Sequence, residues 1–221
     1  MRKLIATATI ILILLAVPIA YASSALSIPY STFNKTETEE VRYSLDKVYS
    51  APWEAKIDNH LTYNQTTDGA RATIKFPANN TNRYPALYVH MYKDGTLAID
   101  YFDGTSSVTI GNGQYAINDN GAEVIVQMAE TYLNVLAYNS TSGGYSYVVK
   151  EFAVDGWDLG EIDAFGGANY VTAGYVSVTV DIGAFINIGS TVDLLIQVVP
   201  AIAAVAVIGF IVATIKKMTK K

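Results

Sequence analysis

Residues 175–182 read YVSVTVDI, with Val176, Val178, Val180 and Ile182 on one face and Tyr175, Ser177, Thr179 and Asp181 on the other. A period of two is what a strand buried on one side requires, because successive side chains of an extended chain point to opposite faces. Upstream, Ala70, Ala72, Ile74 and Phe76 alternate in the same way with Arg71, Thr73 and Lys75. Ala55, Ile57 and Leu61 keep that phase, and the polar stretch 64–69 predicts a hairpin joining the two runs. A second hairpin is expected over 86–102, turning at Asp94-Gly95, since both residues tolerate positive φ. Pairing Lys93 with Thr96 would place Tyr88, His90 and Tyr92 on one face with Leu97, Ile99 and Tyr101. Leu87, Val89 and Met91 would share the other with Ala98 and Phe102.

Residues 121–139 admit two readings. Val124, Ile125, Met128, Tyr132, Val135 and Leu136 have helical spacing, with Asp119 or Asn120 as a cap. The β-branched Val124-Ile125-Val126, a turn at Ala129-Glu130-Thr131 and the alternating Leu133, Val135 and Ala137 favour a hairpin instead. A helix there would make the domain α+β. With the hairpin, nine or ten short strands follow one another with a turn signal every 8 to 15 residues, the pattern of an all-β antiparallel sandwich or jelly roll.

Both ends carry membrane signals. Arg2 and Lys3 precede the apolar run 4–19, and Ala20-Tyr21-Ala22 offers a cleavage site between Ala22 and Ser23; an uncleaved signal anchor is the rival reading. Residues 196–215 hold only Gln197 and Thr214 as polar members, long enough to cross a hydrocarbon layer of about 30 Å. Lys216, Lys217, Lys220 and Lys221 follow and keep that end cytoplasmic or interior. The expected plan is a signal peptide (1–22), an N-terminal lead-in (23–50), a β-sandwich ectodomain (51–183), a juxtamembrane link (184–191), a transmembrane helix (192–215) and a basic tail (216–221). That is a type I protein of a cell or viral membrane, its ectodomain outside and held low by the short link. Gln197, Gly209 and Ala213 are candidate contacts between membrane helices.

Composition narrows the function. Of 221 residues 51% are hydrophobic, too many for a disordered chain, and the absence of Cys excludes disulfides, thiolate zinc sites and Cys nucleophiles. Residues 23–190 carry 9 basic and 19 acidic side chains, and 94–190 carry 12 acids with Lys150 as the lone base. This acidity excludes a nucleic-acid partner and favours cations, a basic neighbour or simple solubility. Four sequons mark Asn34, Asn64, Asn79 and Asn139 as candidate glycosylation sites, three of them between strand-like runs.

The order VIVQMAETYLNVLAYN (124–139), YSYVVKEFAVDGW (145–157), DLGEIDAFGG (158–167) and AGYVSVTVDI (173–182) resembles the back half of concanavalin-like lectin/laminin-G jelly rolls. The resemblance implies two stacked antiparallel sheets and, in many members, carbohydrate binding. The layout of signal peptide, Cys-free Tyr-rich ectodomain and basic-tailed span also resembles archaeal cell-envelope or archaeal-virus surface proteins. Within the third segment, Glu161-Ile162-Asp163 is similar to the E-x-D-x-x-E signature of a glycoside hydrolase family built on this jelly roll. The position of its second Glu holds Gly166. Retaining hydrolysis needs two carboxylates about 5 Å apart, so the departure removes the acid/base and the chain reads as no enzyme.

Asp155, Asp158, Glu161 and Asp163 crowd nine residues and are candidate oxygen ligands for a structural Ca²⁺, although the EF-hand-type loop pattern is absent and a solvated acidic loop is the favoured reading. No other cofactor is expected. His60 and His90 have neither triad nor two-His metal spacing and read as structural. Trp53, Trp157 and the tyrosines can stack on sugars or anchor an interface. The expected function is a non-catalytic structural subunit of a cell envelope or virion surface, partnered by the membrane and by itself or its envelope neighbours. The alternative is a carbohydrate- or host-recognising adhesin, and a glycoside hydrolase is the third reading.

Overall fold

The computed structural model describes residues 23–182. The expected signal peptide up to Ala22, the expected link and transmembrane helix with Gln197, Gly209 and Ala213, and the basic tail lie outside the described residues. Among the described residues no helix is long and apolar enough to cross a membrane.

The strands in chain order are β1 (Ser24–Pro29), β2 (Val41–Tyr49), β3 (Trp53–Asn59), β4 (Thr62–Tyr63), β5 (Arg71–Pro77), β6 (Ala86–Tyr92) and β7 (Thr96–Phe102). They continue with β8 (Ser107–Gln114), β9 (Val124–Met128), β10 (Tyr132–Asn139), β11 (Gly144–Ala153), β12 (Leu159–Phe165), β13 (Val171–Ala173) and β14 (Tyr175–Ile182). Six form a first sheet in the order β1-β14-β3-β9-β10-β11, and six form a second in the order β2-β12-β5-β6-β7-β8. Every pairing is antiparallel, so the domain is the all-β sandwich expected from the alternation.

The core lies between the sheets. Ala55, Ile57, Val124, Val126, Val176, Val178 and Val180 face it from the first sheet, and Ile74, Phe76, Leu87, Val89, Leu97 and Ile99 from the second, all fully buried. At roughly 1.5–3 kcal/mol for each large apolar side chain taken from water, this set is the main source of stability. Trp53 crosses the layer to stack on Phe76, ring centroids 5.8 Å apart, and its indole donates to the Trp157 carbonyl at 2.7 Å. At the far edge Gly111 and Gly113 let β8 approach β11: a Cβ on Gly111 would lie 2.6 Å from the Val149 side chain and 2.7 Å from the Val148 carbonyl.

Three expectations change, and the hairpin favoured over 121–139 is borne out. The runs 55–61 and 70–76 do not pair: β3 lies between β14 and β9 in the first sheet, β5 between β12 and β6 in the second. A shared phase is equally satisfied by strands that face each other across a core, and the connection through β4 and 64–69 carries the chain between sheets. Residues 121–139 are the hairpin β9–β10, closed by the Ala129 amide on the Tyr132 carbonyl at 2.8 Å, and no helix forms there. The stretch 23–50 is not a lead-in. It supplies β1 and β2, edge strands of the two sheets, and buries Ile28, Phe33 and Tyr49.

The third change governs the site. In β6–β7 Met91 lies opposite Leu97, Val89 opposite Ile99 and Leu87 opposite Tyr101, one residue off the expected register. The loop holds three residues rather than two. Gly95, at φ +83°, returns its amide to the Tyr92 carbonyl at 3.1 Å, and Asp94 Oδ1 accepts the Thr96 amide at 2.9 Å. A one-residue slip exchanges the faces. Tyr88, His90 and Tyr92 therefore share the outer face with Ala98, Asp100 and Phe102.

Candidate functional site: a cleft on the outer face of the second sheet

Strands β12, β5, β6 and β7 place Phe165, Arg71, Tyr88, His90, Tyr92, Asp100 and Phe102 side by side on the solvent face, and β8 adds Thr109 and Asn112. Together they line an open cleft of about 720 Å³. Aromatic rings form much of its surface. Tyr88 stacks on His90 at 6.1 Å and meets the edge of Phe165 at 6.4 Å, while Phe102 meets Tyr84 edge-on at 5.8 Å. Burial pushes the Tyr88 phenol up, with Lys75 opposing, so it remains a neutral hydroxyl.

A polar relay crosses four strands, β5 to β8, at the cleft floor. Thr73 Oγ1 lies 2.9 Å from His90 Nδ1, His90 Nε2 lies 3.2 Å from Asp100 Oδ2, and the Thr109 hydroxyl donates to Asp100 Oδ1 at 2.6 Å. Burial, aided by the nearby Arg71 charge, holds the His90 imidazole below its ordinary range despite Asp100. The neutral tautomer protonated at Nε2 satisfies both neighbours, accepting from Thr73 and donating to Asp100. The order Thr–His–Asp is that of a nucleophile, base and orienter. Thr73 is fully buried, however, and a hydroxyl that substrate cannot touch is no nucleophile. Beside the relay Arg71 lies over the Tyr92 ring, 5.7 Å from its centroid, and Nη1 donates to the Tyr92 hydroxyl at 3.3 Å.

The E-x-D carboxylates lie on the same sheet face, but with cations. Arg83 Nη2 donates to both oxygens of Asp163 at 2.7 Å, its Nε to Glu161, and its Nη1 to Glu40 at 3.0 Å. Lys75 bridges Glu40 at 2.8 Å and Asp163 at 3.4 Å, and Arg42 lies 3.6 Å from Glu161. Burial pushes the Asp163 carboxyl up, with Arg83 and Lys75 pulling against it. At Glu40 burial also pushes up, but Lys75 and Arg83 outweigh it and the group is held low. Gly166 is fixed by packing: a Cβ there would collide with the Phe33 carbonyl and lie 2.7 Å from that of Arg71. The second Glu of the hydrolase signature therefore has no room in this backbone.

The candidate calcium ligands are divided between environments. Glu161 and Asp163 point at Arg83, whereas Asp155 and Asp158 are exposed in the β11–β12 connection. Among the described residues no group of three acid, His or Cys side chains is disposed to hold a metal. The sequons also differ. Asn79 and Asn139 are exposed. The Asn34 amide is bound to both backbone groups of Val171, at 2.8 and 2.9 Å, and Asn64 Nδ2 donates to the Asn169 carbonyl at 3.0 Å.

At one end of the sandwich the Asn59 amide donates to the hydroxyls of Tyr63 and Tyr115, at 2.9 and 3.2 Å. Behind them Glu123 is fully buried, its Oε2 accepting the backbone N–H of Asn59 at 3.2 Å while Oε1 has no partner. Burial, then the Asp58 charge, pushes the Glu123 carboxyl up to about 8.

Sequence reasoning missed Arg71, Tyr92, Phe102, Thr109 and Asn112 as site residues. The signal was the outward set of β5 and β6, and the register error hid it by pairing Tyr88, His90 and Tyr92 with core residues of β7.

The chain matches no protein-family model and no curated protein sequence. Solved structures similar to it include lectin and glucanase folds, the classes that the sequence resemblance names. The exoplasmic/lumenal domain of VIP36, in a Ca²⁺/Man2-bound form, is 9% identical over 74% of this chain and 80% of that one, with a TM-score of 0.49. Galectin-Ib of Xenopus laevis is 10% identical over 63% and 98%, with a TM-score of 0.35. A Bacillus licheniformis β-glucanase is 8% identical over 71% and 95%, with a TM-score of 0.40.

Proposed function

We propose that the domain is a non-catalytic glycan-binding module, displayed outside a membrane, that takes a saccharide into the cleft of the second sheet. The observation that carries this reading is the lining of the cleft. Sugar rings present apolar C–H faces and a rim of hydroxyls, so a site for them needs aromatic surfaces beside fixed donors and acceptors. Tyr88, Tyr92, Phe102 and Phe165 supply the first, and His90, Asp100, Thr109 and Asn112 the second. The volume falls within the range of about 300–1,000 Å³ usual for ligand clefts.

The non-catalytic part rests on the carboxylates. Glu161 and Asp163 are engaged by Arg83, Asp100 is engaged by His90 and Thr109, and the backbone excludes a side chain at Gly166. Turnover of a glycan by the purified chain, abolished by Glu161→Gln, would overturn it. The basic-then-apolar N-terminus and the apolar C-terminal segment support secretion and a type I membrane anchor. A second reading, assembly with itself or with envelope neighbours, is supported by Tyr145 and Tyr147 on the edge strand β11, 40% and 54% exposed. In detergent, the full chain should bind at least one structure on a glycan array, with Tyr92→Ala and Phe102→Ala each weakening the interaction at least tenfold. Binding unchanged in both variants would remove the cleft from the account.

A further inference from the structure

We infer that the cleft selects glycans bearing an anionic substituent, a uronate carboxylate or a sulfate ester, and that Arg71 receives the charge. The inference rests on the glycan-binding reading and gives it a ligand class.

Arg42 and Arg83 are each paired with Glu161 and Asp163. Arg71 has no carboxylate within 4 Å among the described residues, in a domain with about twice as many acids as bases. Its guanidinium is nonetheless fixed. It lies over Tyr92, bonds that hydroxyl, lines the cleft, and has a buried Nε with no hydrogen-bond partner. A held, partly dehydrated cation with unused donor capacity is costly on its own and gains most from an incoming anion.

Two carboxylates also face the cleft. Asp100 has one oxygen on His90 and the other on Thr109, so its charge is committed to the relay. Glu37, on the short 3-10 turn Glu37–Glu39, is exposed at the rim, where water and salt screen it. Neutral His90 adds no competing charge. A guanidinium matches a carboxylate or sulfate in shape as well as sign, and the neighbouring rings hold the sugar that carries it.

The test uses the full chain in detergent, titrated with oligogalacturonate, its methyl ester, dextran sulfate and dextran. The expected result is binding of oligogalacturonate at least tenfold tighter than of its ester, with the difference erased in Arg71→Gln and partly kept in Arg71→Lys. Thermal melting of each variant checks that it folds. Preference for dextran sulfate over dextran, again lost in Arg71→Gln, supports the same site with sulfate as the anion. Equal binding of acid and ester, untouched by Arg71→Gln, overturns the inference and leaves the glycan reading standing. Failure to bind any saccharide, neutral or acidic, overturns both.

Discussion

Glu123 shows how a single buried group sets a pH dependence for the whole domain. Its carboxyl is held near 8 in the fold against about 4.5 in an exposed chain, so between those values the folded state binds the extra proton. Stability from this group is complete below about pH 4.5 and is lost as pH rises through 8, because the unfolded chain releases the proton freely whereas the folded state can release it only by burying a carboxylate. At about 1.4 kcal/mol per unit the loss is on the order of 5 kcal/mol. Chemical denaturation at pH 5 and pH 9 should show it, and Glu123→Gln should flatten the difference; equal stability of the native chain at both values would contradict this assignment. Nothing in the sequence marks Glu123, since Asn59 and Tyr63, which cover it with Tyr115, are distant along the chain. Arg71 was equally hidden, because a missing partner is visible only when the neighbours are in place. Gly166 was legible in part: its departure from the E-x-D-x-x-E pattern was plain, but only the Phe33 carbonyl explains why no larger residue fits.

At the scale of elements, alternation located strands such as β5, β6, β7 and β14, but not the partners of every one. The 70–76 run was read correctly as a half-buried strand and paired with the wrong neighbour, because periodicity fixes a face and says nothing about which sheet it belongs to. The β6–β7 turn was placed correctly and counted one residue short. Gly95 closes the three-residue loop at φ +83°, which predicts that Gly95→Ala costs about 1 kcal/mol or more in a denaturation experiment. A neutral result there would contradict the positive φ assigned to Gly95. The β5–β6 loop is tied to β12 by Arg83, whose removal leaves Asp163 buried beside Lys75 and, at 3.8 Å, the more exposed Arg42. Arg83→Gln should lower stability by roughly 2–3 kcal/mol, near the lower end for breaking a buried ion pair, since Lys75 remains 3.4 Å away. A loss below about 0.5 kcal/mol, as for an exposed ion pair, would show that the network is solvent-screened.

For the molecule as a whole, the all-β sandwich was readable from period and turn signals, while the site was not, because it is assembled from strands that meet only through sheet order and register. The sandwich turns one outer face of the second sheet into an aromatic and polar cleft. Glycopeptide mass spectrometry of the native protein should find modification at Asn79 or Asn139, which project into solvent, and none at Asn34, whose amide is bound to Val171; occupancy at Asn34 would contradict the hydrogen bonding described here. The most direct measurement of the central claim is an NMR titration of the isotopically labelled chain in detergent with an oligosaccharide that it binds. The account predicts shift changes confined to the His90 imidazole and to Arg71, Tyr92, Asp100 and Phe102. Changes centred on Tyr145 and Tyr147 of the first sheet, with His90 unmoved, would contradict it.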